Sequence, residues 1–159
     1  MRSETIFKYT TYWRGRYGDQ HGREIVVSSC FDNPGQWPFT VRFYDIDIES
    51  FPYRENKEET EAIRISAEIF EEIKRYINGN SALRGCAENI GNDVMDGSRQ
   101  SFYFACGSYS KSVGGLSILG TGAYEASTPG AAHTANYTVY AATEAIKAIL
   151  AKIGVNLIF

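Results

Sequence analysis

The segment Lys8–Arg23 (KYTTYWRGRYGDQHGR) sets Lys8, Arg14, Arg16 and Arg23 among Tyr9, Tyr12, Trp13 and Tyr17, with His21 beside them. Aromatic rings stack on nucleobases and guanidinium forks pair with phosphate oxygens, so this mixture suits a nucleotide or a short single strand. Its glycines allow the backbone to approach such a ligand closely. Trp37, in the next turn, extends the same surface. The expected binding set is therefore Lys8, Tyr12, Trp13, Arg14, Arg16, Tyr17, His21, Arg23 and Trp37, carried on an N-terminal hairpin. The plainer reading is a hairpin whose rings pack on the core while its arginines keep it soluble.

Acidic residues gather further on. Asp45, Asp47 and Glu49 follow at strand spacing, which points three carboxylates to one face, suited to a divalent cation or a basic partner. A charged sheet edge that repels other strands is the simpler explanation. A third chemistry rests on Cys106, at the end of an apolar strand, with His133 as its base, and Glu125 is a further catalytic candidate. No GxSxG or GxGxxG accompanies it. The segment Ser127–Thr134 leads into a helix N-terminus, where free amides and the dipole attract an anion. Cys30, Cys86 and Cys106 show no CxxC spacing and His21 stands far from His133, so neither metal nor cofactor is expected.

The elements that must position these groups follow from composition and pattern. With 159 residues, 43% hydrophobic and 22% charged, the chain fits a single domain, residues 1–159, and not a disordered one. No apolar run is long enough for a membrane span. The N-terminus lacks a signal peptide, and the cysteines suit a reducing, cytoplasmic setting. A formal charge of −3 excludes a uniformly basic nucleic-acid binder and leaves room for a local basic patch. High aromatic content and glycine-rich loops suit a homo-oligomer.

Strands are expected over residues 4–13, 24–31, 39–48 and 101–106. A helix is predicted from about Lys57 to Asn78, with Asn56 and Glu59 as a capping box and Gly79 at its end. Residues 79–99 read as a functional loop or a short helix near Leu83–Ile90. Leu116–Leu119 and Ala123–Glu125 read as further strands. A final helix, capped by Thr134 or Asn136, runs to about Ile153, and Val155–Phe159 reads as a last strand inside the sheet. A shift of about 76 residues overlays the two halves in pattern, which suggests a strands-then-helix repeat. The fold class is α+β, mainly antiparallel sheet with two principal helices packed on it.

Residues 101–159 loosely resemble the opening of ribonuclease H-like domains in their order of elements. That family implies carboxylates in the first strand and the helix, where this chain has Cys106 or Gly107 and Val139 or Tyr140. The resemblance therefore implies no such activity. The repeated strands-then-helix units also resemble Whirly and Pur-type single-strand binders, though no sequence motif is shared.

Three functions follow as expectations. The first is a small cytoplasmic binding protein whose hairpin captures a phosphate-bearing, nucleotide-like ligand or short single strand. The second is an acidic, inhibitor- or immunity-like interaction module that turns its Asp45–Glu72 face to a basic protein. The third is a small hydrolase or transferase using Cys106 and His133.

Overall fold

The computed structural model describes residues 3–14, 20–32, 37–50, 52–92 and 98–159; the side chains of Arg14 and Ser50 also fall outside the description. The elements run β1 (Ser3–Arg14), β2 (Gln20–Cys30), β3 (Phe39–Ser50), β4 (Tyr53–Arg64), α1 (Ala67–Asn78), α2 (Ser81–Arg84) and β5 (Asn89–Ile90). They continue with β6 (Arg99–Ala105), β7 (Ser110–Leu116), α3 (Ile118–Ser127) and α4 (Ala135–Ala151). The strands form one sheet in the order β4-β3-β2-β1-β6-β7-β5, antiparallel except for the short β5–β7 pair. This is the expected α+β class.

Period-two alternation decides which face is covered. Phe7, Tyr9, Ile25, Val27, Val41, Phe102, Phe104 and Val113 point to one side and are buried. Against them pack Ile69, Phe70, Ile73 and Ile77 of α1 and Val139, Ala142, Ile146 and Leu150 of α4. A shift in the β1–β2 register between Thr5 and Phe7 leaves Ile6 as an extra residue. Ile6 and Phe7 are therefore both buried, while Thr5 turns to the opposite side. Neither α1 nor α4 packs on that opposite side, although Thr10, Glu24 and Ile46 on it are buried.

Several expectations need correction. Residues 53–64 are a strand, so Asn56 and Glu59 cap nothing and the helix does not begin at Lys57. The helix starts at Ala67, where the Ser66 hydroxyl accepts from Ile69 N at 3.2 Å; Gly79 closes it as expected. The exposed backbone of β3 requires a partner, and β4 supplies one along its whole length. Residues 118–127 form α3 and not strands. The 79–99 segment holds both α2 and β5, with 93–97 outside the described residues. The last residues form a strap and not a strand: Val155 and Leu157 are buried, and the Phe159 ring stands edge-on to Tyr9 at 5.0 Å and Phe7 at 6.4 Å.

The halves do not repeat, because a 76-residue shift lays β3 on α3. Two long helices are joined by α3 and the single-turn α2. None is long and apolar enough to cross a membrane.

Candidate functional site

The uncovered face of the sheet carries three rows of side chains that run across the strands. One row is Ser112, Tyr103, Lys8, Val26 and Arg42. The next is Ser101, Thr10, Glu24 and Tyr44, and the third is Arg99, Tyr12, Gly22, Ile46 and Lys57. Strand pairing therefore brings Lys8 beside Tyr103, 95 residues later, with no help from a loop.

Most of the charge here is already matched. Lys57 reaches across the sheet to the buried Glu24 carboxylate, its ammonium 4.5 Å from the Tyr44 ring centre. Thr10 Oγ1 donates to Glu24 Oε2 at 3.0 Å. Arg42 pairs with Glu59 at 2.6 Å. Tyr12 lies over Gly22, where an added Cβ would stand 2.9 Å from its Cδ1. Burial first, then the nearby Glu55 and Glu24 carboxylates, push the Tyr12 phenol above its ordinary pKa.

Lys8 and Arg99 differ, since among the described residues neither forms an ion pair, and of the two it is Lys8 that lines a groove beside Tyr103. That groove, of ≈ 710 Å³, is lined also by Thr5, Thr10, Ser101 and Ser112, with one carboxylate residue, Glu88, in the same lining. A free ammonium among hydroxyls beside an aromatic ring can hold a phosphate, hydrogen-bond a sugar and stack a base. The volume suits one small ligand, since such sites span about 300–1,000 Å³.

The expected hairpin set is divided by the fold. Lys8 and Tyr12 lie on the open face. Trp13, His21 and Arg23 lie on the other, because their positions have the opposite strand parity. There Trp13 faces His21 with ring centres 6.3 Å apart, His21 Nδ1 lies 2.8 Å from Asp47 Oδ1, and Arg23 Nη2 donates to the Ile158 carbonyl at 2.8 Å. Trp37 stands at the opposite end of β2, roughly 30 Å from the hairpin tip by strand rise, and does not extend the same surface. Arg16, Tyr17 and the Arg14 side chain fall outside the described residues.

The nucleophile expectation separates too. Cys106 follows the C-terminal end of β6. His133, stacked on Tyr137 at 3.8 Å, stands at the α4 N-terminus, which Asn136 and Asn92 tie to Leu116 at the other end of the β6–β7 pair. A strand of that length separates them by roughly 20 Å, so His133 does not serve Cys106. Glu125 is buried and accepts from Thr134 N at 2.7 Å and from Thr134 Oγ1. The anion expected at the α4 N-terminus is thus the chain's own carboxylate. Among the described residues no His, Cys, Asp and Glu cluster is arranged to hold a metal.

Cys106 keeps a distinct environment. Burial works to raise its thiol pKa, but hydrogen bonds with the Ser108 hydroxyl (3.2 Å) and with backbone of Tyr109 and Ser108, and nearby Arg84, hold it below the ordinary value. Cys86 is pushed the other way, chiefly by burial. A lowered pKa means more thiolate at neutral pH, and the thiolate is the nucleophile. Iodoacetamide should therefore label Cys106 first, with a rate that levels off below the pH of an ordinary thiol. Faster labelling of Cys86, located by peptide mass, would contradict this.

Thr5, Thr10, Arg42, Tyr44, Lys57, Ser101, Tyr103 and Ser112 did not stand out in the sequence as site residues. The usable signal was parity: Tyr103 lies between Phe102 and Phe104, and Arg42 between Val41 and Phe43, so each must face away from the core. No protein-family model and no curated protein matches the chain.

Proposed function

We propose that this is a small cytoplasmic binding protein that holds a nucleotide-like, phosphate-bearing ligand on the open face of its sheet. The observation that supports this reading is the unpaired Lys8 in a hydroxyl-lined groove beside Tyr103. Lys8 meets the phosphate, Tyr103 stacks on the base, and Thr5, Thr10, Ser101 and Ser112 hydrogen-bond the sugar or phosphate oxygens. The free state of Cys30, Cys86 and Cys106 suits a reducing compartment. The ligand remains of the class expected from the hairpin, while the site moves from its tip to its flank.

Calorimetry with a panel of nucleoside di- and triphosphates and a short oligothymidylate tests the assignment. Lys8→Ala should weaken binding by roughly 10- to 100-fold, the weight of a charge-assisted hydrogen bond. Tyr103→Ala should cost a comparable factor through lost stacking. Neither change touches the core, so both melts should match wild type. Trp37→Ala should bind normally. Binding kept in Lys8→Ala but lost in Trp13→Ala would return the site to the hairpin tip; no binding by wild type to any of the panel defeats the reading.

A further inference from the structure

The helix-bearing side of the sheet has a second opening, away from the Lys8 groove. After α4 the chain turns at Gly154, φ +81°, and crosses back over β2, β3 and β4, enclosing a cleft of ≈ 490 Å³. The cleft floor is apolar, formed by Ile25, Phe43 and Ile63, and Ile158 is 74% exposed beside it. Its rim is acidic. Asp45 and Glu61 line it, and Glu58 stands directly opposite Asp45 across the β3–β4 ladder.

Like charges at a directly opposed pair destabilise a sheet. Among the described residues Asp45, Glu58 and Glu61 form no ion pair, and Arg23, the cross-strand neighbour of Asp45, gives its guanidinium to the Ile158 carbonyl. The chain thus keeps three unmatched carboxylates around an open apolar floor. The carboxylates Glu59 and Glu24 on the other face, by contrast, are both paired.

We propose that this cleft docks a basic protein segment that inserts one apolar side chain onto Phe43 and Ile63 while its Lys or Arg side chains meet Asp45, Glu58 and Glu61. The charge complementarity selects a basic partner, and the floor selects one with an apolar anchor. This narrows the broad Asp45–Glu72 expectation. The α1 part of that segment belongs to a separate surface, with Glu72 paired to Lys152.

Two synthetic peptides of equal length and charge supply the test, one of Lys and Gly only and one with a single central Phe. The Phe peptide should bind at least about tenfold tighter, consistent with burial of one aromatic side chain. Asp45→Asn with Glu61→Gln should weaken that binding at least about tenfold, as loss of two ionic partners requires. Ile158→Ser should reduce the preference for Phe. All three positions are exposed, so circular dichroism melts should stay at wild type. Equal binding of the two peptides, full binding by the doubly neutral variant, or no binding of either peptide would overturn the proposal. Lys8→Ala should leave these affinities unchanged, which keeps the outcome independent of the nucleotide groove.

Discussion

Gly122→Ala should lower stability by about 3 kcal/mol, the upper part of the range for overpacking a filled interior. Gly120→Ala, two residues earlier in the same helix, should raise it by up to about 1 kcal/mol. The difference lies in what each new methyl meets. A Cβ at Gly122 would stand 2.4 Å from the Asn136 carbonyl oxygen and 2.4 Å from Tyr140 Cβ, both on the first turns of α4. Neither atom is the free end of a flexible chain, so α3 would have to move away from α4. Asn136 resists that movement, because its side chain exchanges hydrogen bonds with Asn92 at 2.8 and 3.1 Å and Asn92 also bonds the Leu116 carbonyl. A Cβ at Gly120 meets nothing within 4 Å, so that change only reduces the freedom of the unfolded chain. Urea unfolding reads both as shifts of midpoint at constant slope. Midpoints for Gly122→Ala and wild type that coincide would show that the α3–α4 contact is looser than described.

Gly122 also explains why α3 was not legible in the sequence. Ile118–Ser127 contains two glycines, a poor composition for a helix, and its apolar residues read as readily as strand. The segment is helical because a bare Cα lets it lie on α4, a cause located fourteen residues away at Asn136 and beyond. The β4 error has a different origin. Residues 57–64 expose both faces, so they carry no period-two signal, and Ala62 and Ile63 happen to continue the stripe of Ile69, Phe70 and Ile73. Only the free backbone of β3 decides the matter, and a local pattern does not contain it.

The strands β1–β3 and β6 were legible from their β-branched and aromatic residues, and β6 and the middle of β1 also from alternation about Phe7, Tyr9, Phe102 and Phe104. The same alternation carried half of the candidate site. Once Phe102 and Phe104 face the helices, Tyr103 must face away, and Lys8 follows from Phe7 and Tyr9 in the same manner. The groove itself was not legible, since it depends on β1 pairing with β6 across 95 residues. Composition drew attention to the hairpin as one patch, whereas strand parity divides Lys8 and Tyr12 from Trp13, His21 and Arg23.

Glu125→Ala should cost about 1–3 kcal/mol, from the loss of part-buried hydrogen bonds to a charged acceptor and a weakened helix cap. The Glu125 carboxylate accepts from the Thr134 amide at 2.7 Å and from the Thr134 hydroxyl at 2.8 and 2.9 Å. That hydroxyl accepts in turn from Asn136 N at 3.2 Å and Asn136 Nδ2 at 3.0 Å. Both lone pairs of Thr134 Oγ1 are therefore engaged, and its one proton must go to Glu125. Glu125→Gln should fall between alanine and wild type. Its carbonyl can still receive the Thr134 amide, but its NH₂ meets a hydroxyl with no lone pair to offer. Because the same contact is removed from either side, Glu125→Ala and Thr134→Val should combine to less than the sum of their separate effects. His133→Ala and Cys106→Ala, outside this network, should leave stability within about 0.5 kcal/mol of wild type. Full additivity, or a Glu125→Ala variant as stable as wild type, would remove the structural role and reopen Glu125 as a reactive carboxylate. A carboxylate held here also has a consequence for ligand binding: it occupies the amide end of α4 that would otherwise draw an external phosphate.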